Sequence, residues 1–253
     1  MWRLKLINSF GVLYFTVVST LVFVNKISVW WFLLGGLLWI GMLTWGAFDI
    51  RLNVFVKAIT SNKGETRKRI AITFDDGPTL FTPMVLELLH KYNAKATFFC
   101  IGNQVSKYPL ILKQTFVEGH LIGNHTQTHT TRMGFLSADE VTQEIELGEQ
   151  TIENVLGIRP MWYRPPFGVT NPKIANALSK THYKIAGWNI RSLDTVIDRE
   201  QRIFERLKRK IRPGGIILLH DTSNKSVNVL EQLLIELTNQ HYEMVTLDEL
   251  LNH

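Results

Sequence analysis

An α/β fold on parallel strands is what this sequence predicts from residue 70 onward, and three observations predict it. Short apolar runs at 70–75, 96–101, 119–123, 161–164, 183–188, 215–220 and 243–246 alternate with longer amphipathic stretches, the βα rhythm of a parallel sheet. Several of these runs end in a charged or polar residue, among them Asp75, Arg164 and His220. That is where a (β/α) barrel gathers its active groups, since the C-terminal strand ends converge on one face. Finally, the composition is that of a folded protein: 253 residues, 45% hydrophobic, 20% charged, without repeats or low-complexity tracts.

The front of the chain is different. Residues 5–24 and 27–48 are almost wholly apolar, interrupted by Asn25 and Lys26, and each run approaches the length that spans a bilayer. Residues 1–50 are therefore expected to form a membrane anchor of two transmembrane helices in a hairpin. The other reading is one spanning helix after a cleaved or interfacial first segment, although no small-x-small cleavage site precedes Lys26. A hairpin puts the N-terminus and the α/β domain on one side. Arg3, Lys5, Arg51, Lys57, Lys63, Arg67, Lys68 and Arg69 then place that side in the cytoplasm; a single span would export the domain. The side is open at this stage. Residues 51–69 are expected as a basic linker, polar and flexible around 61–65.

Net charge is +6, and the cations next to the apolar segments favour an anionic lipid bilayer surface as partner. No nucleic-acid motif occurs, so no nucleic acid is expected. The single Cys100 excludes an internal disulfide and sits in a buried-strand pattern.

The first strand, 70–75, runs into Asp75-Asp76-Gly77-Pro78. Two adjacent carboxylates at a buried strand's mouth are costly unless a cation or proton relieves them. A helix at 82–92, a strand at 96–101 and a helix at 107–117 follow. The strand at 119–123 then leads into Gly123-Asn124-His125-Thr126-Gln127-Thr128-His129. His125 and His129 are four apart, so a helical turn or tight loop aims both at one point. Two histidines and a carboxylate with an open position form a common catalytic zinc set. The helix at 137–156 opens on the capping box Ser137-x-x-Glu140. Strand 161–164 ends in Arg164-Pro165-Pro166-Phe167-Gly168, and helix 172–180 follows. Strand 183–188 leads to Asn189-Ile190-Arg191-Ser192-Leu193-Asp194 and helix 199–210. Strand 215–220 ends in His220-Asp221, followed by helix 227–240 and strand 243–246.

Taken together, and in this order, these residues resemble the polysaccharide deacetylase family, which shares the NodB homology domain (carbohydrate esterase family 4), from about Ile70 to the C-terminus. The resemblance implies a distorted (β/α) barrel of about seven strands over residues 70–253. It implies a hydrolase that removes N-acetyl groups from amino sugars of a glycan such as peptidoglycan or another GlcNAc polymer. Asp76, His125 and His129 would hold a divalent metal, most simply Zn2+. Asp75 would be the general base, oriented by Arg164; His220 would be the general acid, tuned by Asp194. Phe167 and Leu218 would line the acetyl pocket. The family usually has Trp after the residue matching Asp194; here it is Thr195, with Trp188 or Trp162 available to replace it. Competing readings are a deacetylase or deformylase of a lipid-linked sugar, an O-acetyl xylan esterase, and an inactive carbohydrate-binding protein.

Overall fold

The computed structural model describes residues 2–252. It opens with two helices, α1 (Trp2–Phe23) and α2 (Trp30–Phe48). The segments Arg3–Phe23 and Trp30–Phe48 are long and apolar enough to cross a membrane, each being about 30 Å at 1.5 Å per residue. They pair as an antiparallel hairpin. The Tyr14 hydroxyl donates to the Trp31 carbonyl at 2.8 Å, and the Phe15 and Phe32 rings stack. Gly35 permits this approach, because a Cβ there would overlap the Tyr14 ring.

The rest is a mixed-order parallel sheet wrapped into a half-barrel. Its strands are β1 (Ala58–Ile59), β2 (Arg69–Gly77), β3 (Ala96–Cys100), β4 (Leu121–Asn124), β5 (Trp162–Tyr163), β6 (Lys184–Ala186), β7 (Ile190–Arg191), β8 (Ile216–His220) and β9 (Glu243–Val245). The order is β1-β6-β5-β4-β3-β2-β8-β7, with β9 pairing to the start of β2. The helices are α3 (Thr82–Lys91), α4 (Gly102–Lys107), α5 (Pro109–Val117), α6 (Ala138–Leu156), α7 (Pro172–Ser179), α8 (Glu200–Lys208), α9 (Asn224–Asn239) and α10 (Leu247–Leu251).

Period-two alternation divides the sheet's faces. On β2, Ile70, Ile72 and Phe74 join the cluster packed under α3 and α9, while Ala71 joins a second cluster with Phe99, Trp162, Tyr163 and Leu218. Thr73 and Asp75 share the face of Ala71, so the interior of the half-barrel is where the first carboxylate points. On β8 the same alternation puts Ile216, Leu218 and His220 on that inner face.

Most expected elements form, with four differences. Residues 51–69 are not a free linker: Val54, Phe55, Val56 and Ala58 are buried, and Ala58–Ile59 pairs with β6. The Asn62 N–H donates to the Gly214 carbonyl at 2.8 Å, which ties the polar stretch down as well. A strand of two residues is too short to leave a periodic signal. Second, the run at 183–188 is shorter than expected, and β7 is a separate strand after it. Among the described residues the sheet thus has nine strands where about seven were expected, the additions being β1 and β7. Third, the helix expected at 107–117 starts earlier and breaks at Tyr108, because Pro109 cannot continue it and begins a new one. Fourth, a capping box of Thr246 and Glu249 opens α10, which was not anticipated.

Candidate active site

Asp75, Asp76, His125, His129, Phe167, Leu218 and His220 line one cavity of about 200 Å³ at the C-terminal ends of the strands. Gly168, Trp188, Arg191 and Thr195 complete its wall.

Adjacent residues on a strand normally face opposite ways, yet Asp75 and Asp76 reach the same cavity. The β2–β3 register shifts between Asp75 and Gly77, and Asp76 takes a left-handed backbone with φ 75°. This bulge turns the second carboxylate inward. His129 (φ 53°) and Phe167 (φ 59°) are also left-handed. Such a conformation costs a residue with a Cβ free energy, and it concentrates where a site over-determines the backbone.

Asp76, His125 and His129 each offer one donor atom, all within 4.8 Å of one another. Asp76 Oδ1 lies 3.5 Å from His125 Nε2 and 3.4 Å from His129 Nε2. Tetrahedral zinc with ligands about 2.0–2.1 Å away needs ligand-to-ligand edges of roughly 3.3–3.4 Å, which the two Asp76 edges match. The donor chemistry fits too. His125 Nδ1–H donates to the Arg164 carbonyl at 2.6 Å, which turns Nε2 toward Asp76. Burial lowers the His129 pKa to about 4, and the nearby His125 adds to this, so this imidazole is neutral at pH 7. Asp76 Oδ1 is buried without a hydrogen-bond donor. Burial works against ionisation of Asp76, but the imidazoles of His125, His129 and His220 around it hold it well below the usual carboxylate range. Two imidazoles and a carboxylate facing one point can hold a cation.

Asp75 is held from behind. Arg164 is fully buried, and its Nη1 donates to Asp75 Oδ1 at 2.6 Å and to Thr73 Oγ1 at 2.8 Å. Nη2 donates to the Gly187 carbonyl at 3.0 Å, and the guanidinium stacks 4.1 Å above the Phe99 ring. A charge so enclosed is tolerable because its donors are used.

Across the cavity, His220 Nδ1–H donates to Asp194 Oδ1 at 2.8 Å. Asp194 Oδ2 accepts the His220 backbone N–H at 2.9 Å. Burial disfavours the imidazolium, but the hydrogen bond and charge of Asp194, with help from Asp75 and Asp76, raise its pKa to about 9. His220 is therefore a charged acid at pH 7.

Sequence reasoning missed the groups that hold these residues. The Ser192 and Ser226 hydroxyls donate to Asp194 at 2.6 and 3.0 Å. Asn124 Oδ1 accepts the Thr126 N–H, and Thr126 Oγ1 accepts the His129 N–H, shaping the turn between the histidines. Fully buried Asp221 receives the Thr82 hydroxyl, and burial raises its pKa to about 7; its position next to His220 was the one available signal. Of the two tryptophans considered as replacements beside Thr195, Trp188 walls the cavity, whereas the Trp162 indole N–H donates to Asp248. Thr195 itself is exposed at the rim. His120 stays out of the site, where its Nδ1 accepts the Ala96 N–H.

The architecture and this site have counterparts. Residues 62–186 match the family model described as polysaccharide deacetylase. A peptidoglycan-N-acetylglucosamine deacetylase of Bacillus cereus is 36% identical over 202 residues, covering 77% of this chain and 93% of that protein. The solved structure of the peptidoglycan deacetylase PdaC from Bacillus subtilis superposes with a TM-score of 0.69 at 33% identity, covering 73% of this chain and 90% of that one. The peptidoglycan-N-acetylglucosamine deacetylase PgdA of Listeria monocytogenes is 34% identical over 77% of this chain, but the match spans only 41% of that longer protein. The chain belongs to the polysaccharide deacetylase family.

Proposed function

We propose that this protein is a metal-dependent hydrolase that removes N-acetyl groups from amino sugars of a glycan, held at a membrane by α1 and α2. One observation carries the proposal: two imidazoles and a carboxylate that can hold a metal share a single cavity with a fixed carboxylate and an imidazolium. The names of the relatives support N-acetylglucosamine as the sugar, with peptidoglycan as the corresponding polymer.

An amide resists hydrolysis because its carbonyl is a weak electrophile and its amine a poor leaving group. A divalent ion held by Asp76, His125 and His129, with zinc favoured by the donors, would polarise the acetyl carbonyl and make water nucleophilic near neutral pH. Asp75 takes the proton of the attacking water, and Arg164 fixes the carboxylate orientation for that transfer. The left-handed turn at Phe167 offers a backbone N–H to the developing oxyanion. His220 gives its Nε2 proton to the departing amine, and Asp194 stabilises the imidazolium beforehand. Leu218, Trp188 and the Phe167 ring enclose the acetyl methyl group.

The anchor reading rests on two long apolar helices whose faces are largely exposed. The functional test is acetate release from GlcNAc oligomers by the full chain in detergent, with and without chelator. Chelator-sensitive release restored by zinc is expected. Full turnover in chelator, or bound metal without release from any N-acetylated sugar, overturns the proposal.

A further inference from the structure

The end of α2 is docked on the face of the domain that carries the cavity. The Thr170 N–H donates to the Ala47 carbonyl in the last turn of α2 at 2.9 Å, and Thr170 is two residues past the cavity-lining Gly168. A Cβ on Gly187, the residue after β6, would stand 3.5 Å from the Ile50 side chain just beyond α2. Gly46 lies so close to Val54 that a Cβ there would overlap it. The contacts of Thr170 and Gly187 fall past the C-terminal ends of β5 and β6, where the loops of a parallel half-barrel carry its site. With α2 in a bilayer, these loops come to the bilayer surface along with the helix end.

The turn at 130–136 belongs to the same face. It follows His129 directly and leads into α6. The Asn171 Nδ2–H donates to the Gly134 carbonyl at 2.8 Å, and Asn171 is the chain neighbour of Thr170, so the turn sits beside the residue that holds the end of α2. The turn is also fixed from within. Met133 is buried, its N–H donates to the Thr130 carbonyl at 3.1 Å, and the Phe135 N–H donates to the Arg132 carbonyl at 2.8 Å. Leu136 packs on the inner cluster. Between these inward residues Phe135 is turned out, 82% exposed. A single exposed phenylalanine ordinarily needs no explanation. This one is held outward by packed neighbours beside the end of an apolar helix. It also has cations at its base: Arg132 is exposed in the same turn, and the Lys173 Nζ donates to the Phe135 carbonyl at 3.5 Å. Glu140 lies near both cations, but it is bonded to the Ser137 N–H in the capping box. A ring ahead of basic residues suits the layer between lipid tails and headgroups, which takes the ring among the tails and the cations among the phosphates.

We infer that Phe135 enters the interfacial layer of the bilayer that holds α1 and α2, making the 130–136 turn a second membrane contact of the α/β domain. The inference rests on the membrane reading of the two helices and is independent of the hydrolytic chemistry. One contact alone would let the domain swing about the end of α2. Two contacts on one face hold that face, and the cavity mouth with it, toward the bilayer surface.

The experiment places a fluorescent label on the full chain in nanodiscs of phosphatidylcholine and phosphatidylglycerol, where both bilayer faces are open to the solution. Cys100, the single cysteine, is buried, so Phe135→Cys supplies one accessible thiol for an environment-sensitive nitrobenzoxadiazole label. Phe135 is exposed, and its replacement removes no packing. Two comparison sites are Leu37→Cys, within α2, and Val117→Cys, which is 83% exposed at the far end of α5 on the opposite side of the sheet. The expected result for Phe135 is emission shifted to shorter wavelength, quenched by lipids spin-labelled near the carbonyl end of the acyl chain, about 5–10 Å deep, and protected from iodide. The Val117 label should be quenched by iodide alone, and the Leu37 label by lipids spin-labelled deeper in the chain. Iodide quenching at Phe135 equal to that at Val117, with Leu37 still quenched by lipid, overturns the inference and leaves the anchor standing. Protection of Phe135 from both lipid and iodide also overturns it, since a protein surface then covers the ring. A Leu37 label that no lipid quenches defeats the anchor reading and the inference together.

Discussion

Two histidine–carboxylate groups face each other across the cavity, and they hold their imidazoles in opposite states. His129, beside Asp76, has a pKa near 4, whereas His220, beside Asp194, has a pKa near 9. Both rings are largely buried, so burial alone does not distinguish them. The difference lies in where the carboxylate bonds. Asp194 accepts a direct Nδ1–H bond at 2.8 Å from His220. Asp76 stands 3.4 Å from His129, further than a good hydrogen bond, and His125 competes for the same oxygen. One arrangement stores a proton; the other leaves lone pairs for a cation.

The largest effect should come from breaking the cation side. Asp76→Ala removes the anionic donor, and loss of a metal worth several kcal/mol corresponds to a drop in kcat/KM of about 10³-fold or more. Metal analysis of the purified variant should show loss of zinc with the fold intact by circular dichroism. A variant that retains stoichiometric zinc and wild-type turnover would show that the cluster is not the metal centre.

The next effect tests stability. Arg164→Met leaves Asp75 buried without its partner, and breaking a buried pair in this way costs about 3–5 kcal/mol. Chemical denaturation should show that loss. Asp75→Asn, which keeps the shape and can still accept from Arg164, should cost less stability while lowering turnover by roughly 10²–10⁴-fold. Equal destabilisation by both variants would refute the view that the loss in Arg164→Met comes from leaving the Asp75 charge unpaired.

Much of this comparison was legible in the sequence, because each reacting group ends an apolar run: Asp75, Arg164 and His220 all mark strand mouths. Alternation then sends them to one interior. What was not legible depends on tertiary placement. Nothing local to Asp76 showed that a bulge would turn it toward the histidines. Ser226 lies 32 residues from Asp194, and only the docking of α9 brings them together. The two-residue strand β1 hid in a polar segment because its pairing with β6, rather than its own pattern, makes it a strand.

A smaller effect should separate proton storage from metal binding. Asp194→Asn removes the charge that raises the His220 pKa, so the basic limb of the pH–rate profile, expected near pH 9 in the wild type, should move to lower pH. At pH 8 the variant should lose roughly 10²-fold in turnover while still binding zinc. The sign for stability is the same. The raised pKa stabilises the fold fully below about 6.5 and loses that contribution as pH rises through about 9. The unfolding free energy of Asp194→Asn should therefore vary less over that window. An unmoved basic limb would assign it to a group other than His220.

The smallest effect probes how finely the acid is set. Asp194 carries four hydrogen bonds: from His220 Nδ1, the His220 backbone, Ser192 and Ser226. The serine bonds compete with the imidazole for the same carboxylate, since each stabilises the anion whether or not His220 is protonated. Ser226→Ala removes one donor from a buried charge at a cost of about 1.5–3 kcal/mol in stability. The less-stabilised carboxylate should bind the imidazolium more strongly. The basic limb is then expected to move slightly upward, opposite to its movement in Asp194→Asn. Stability and limb position should thus change in opposite senses in this variant and together in the other. A downward limb in Ser226→Ala would mean that the serine acts mainly by keeping Asp194 in place for His220 rather than by sharing its charge.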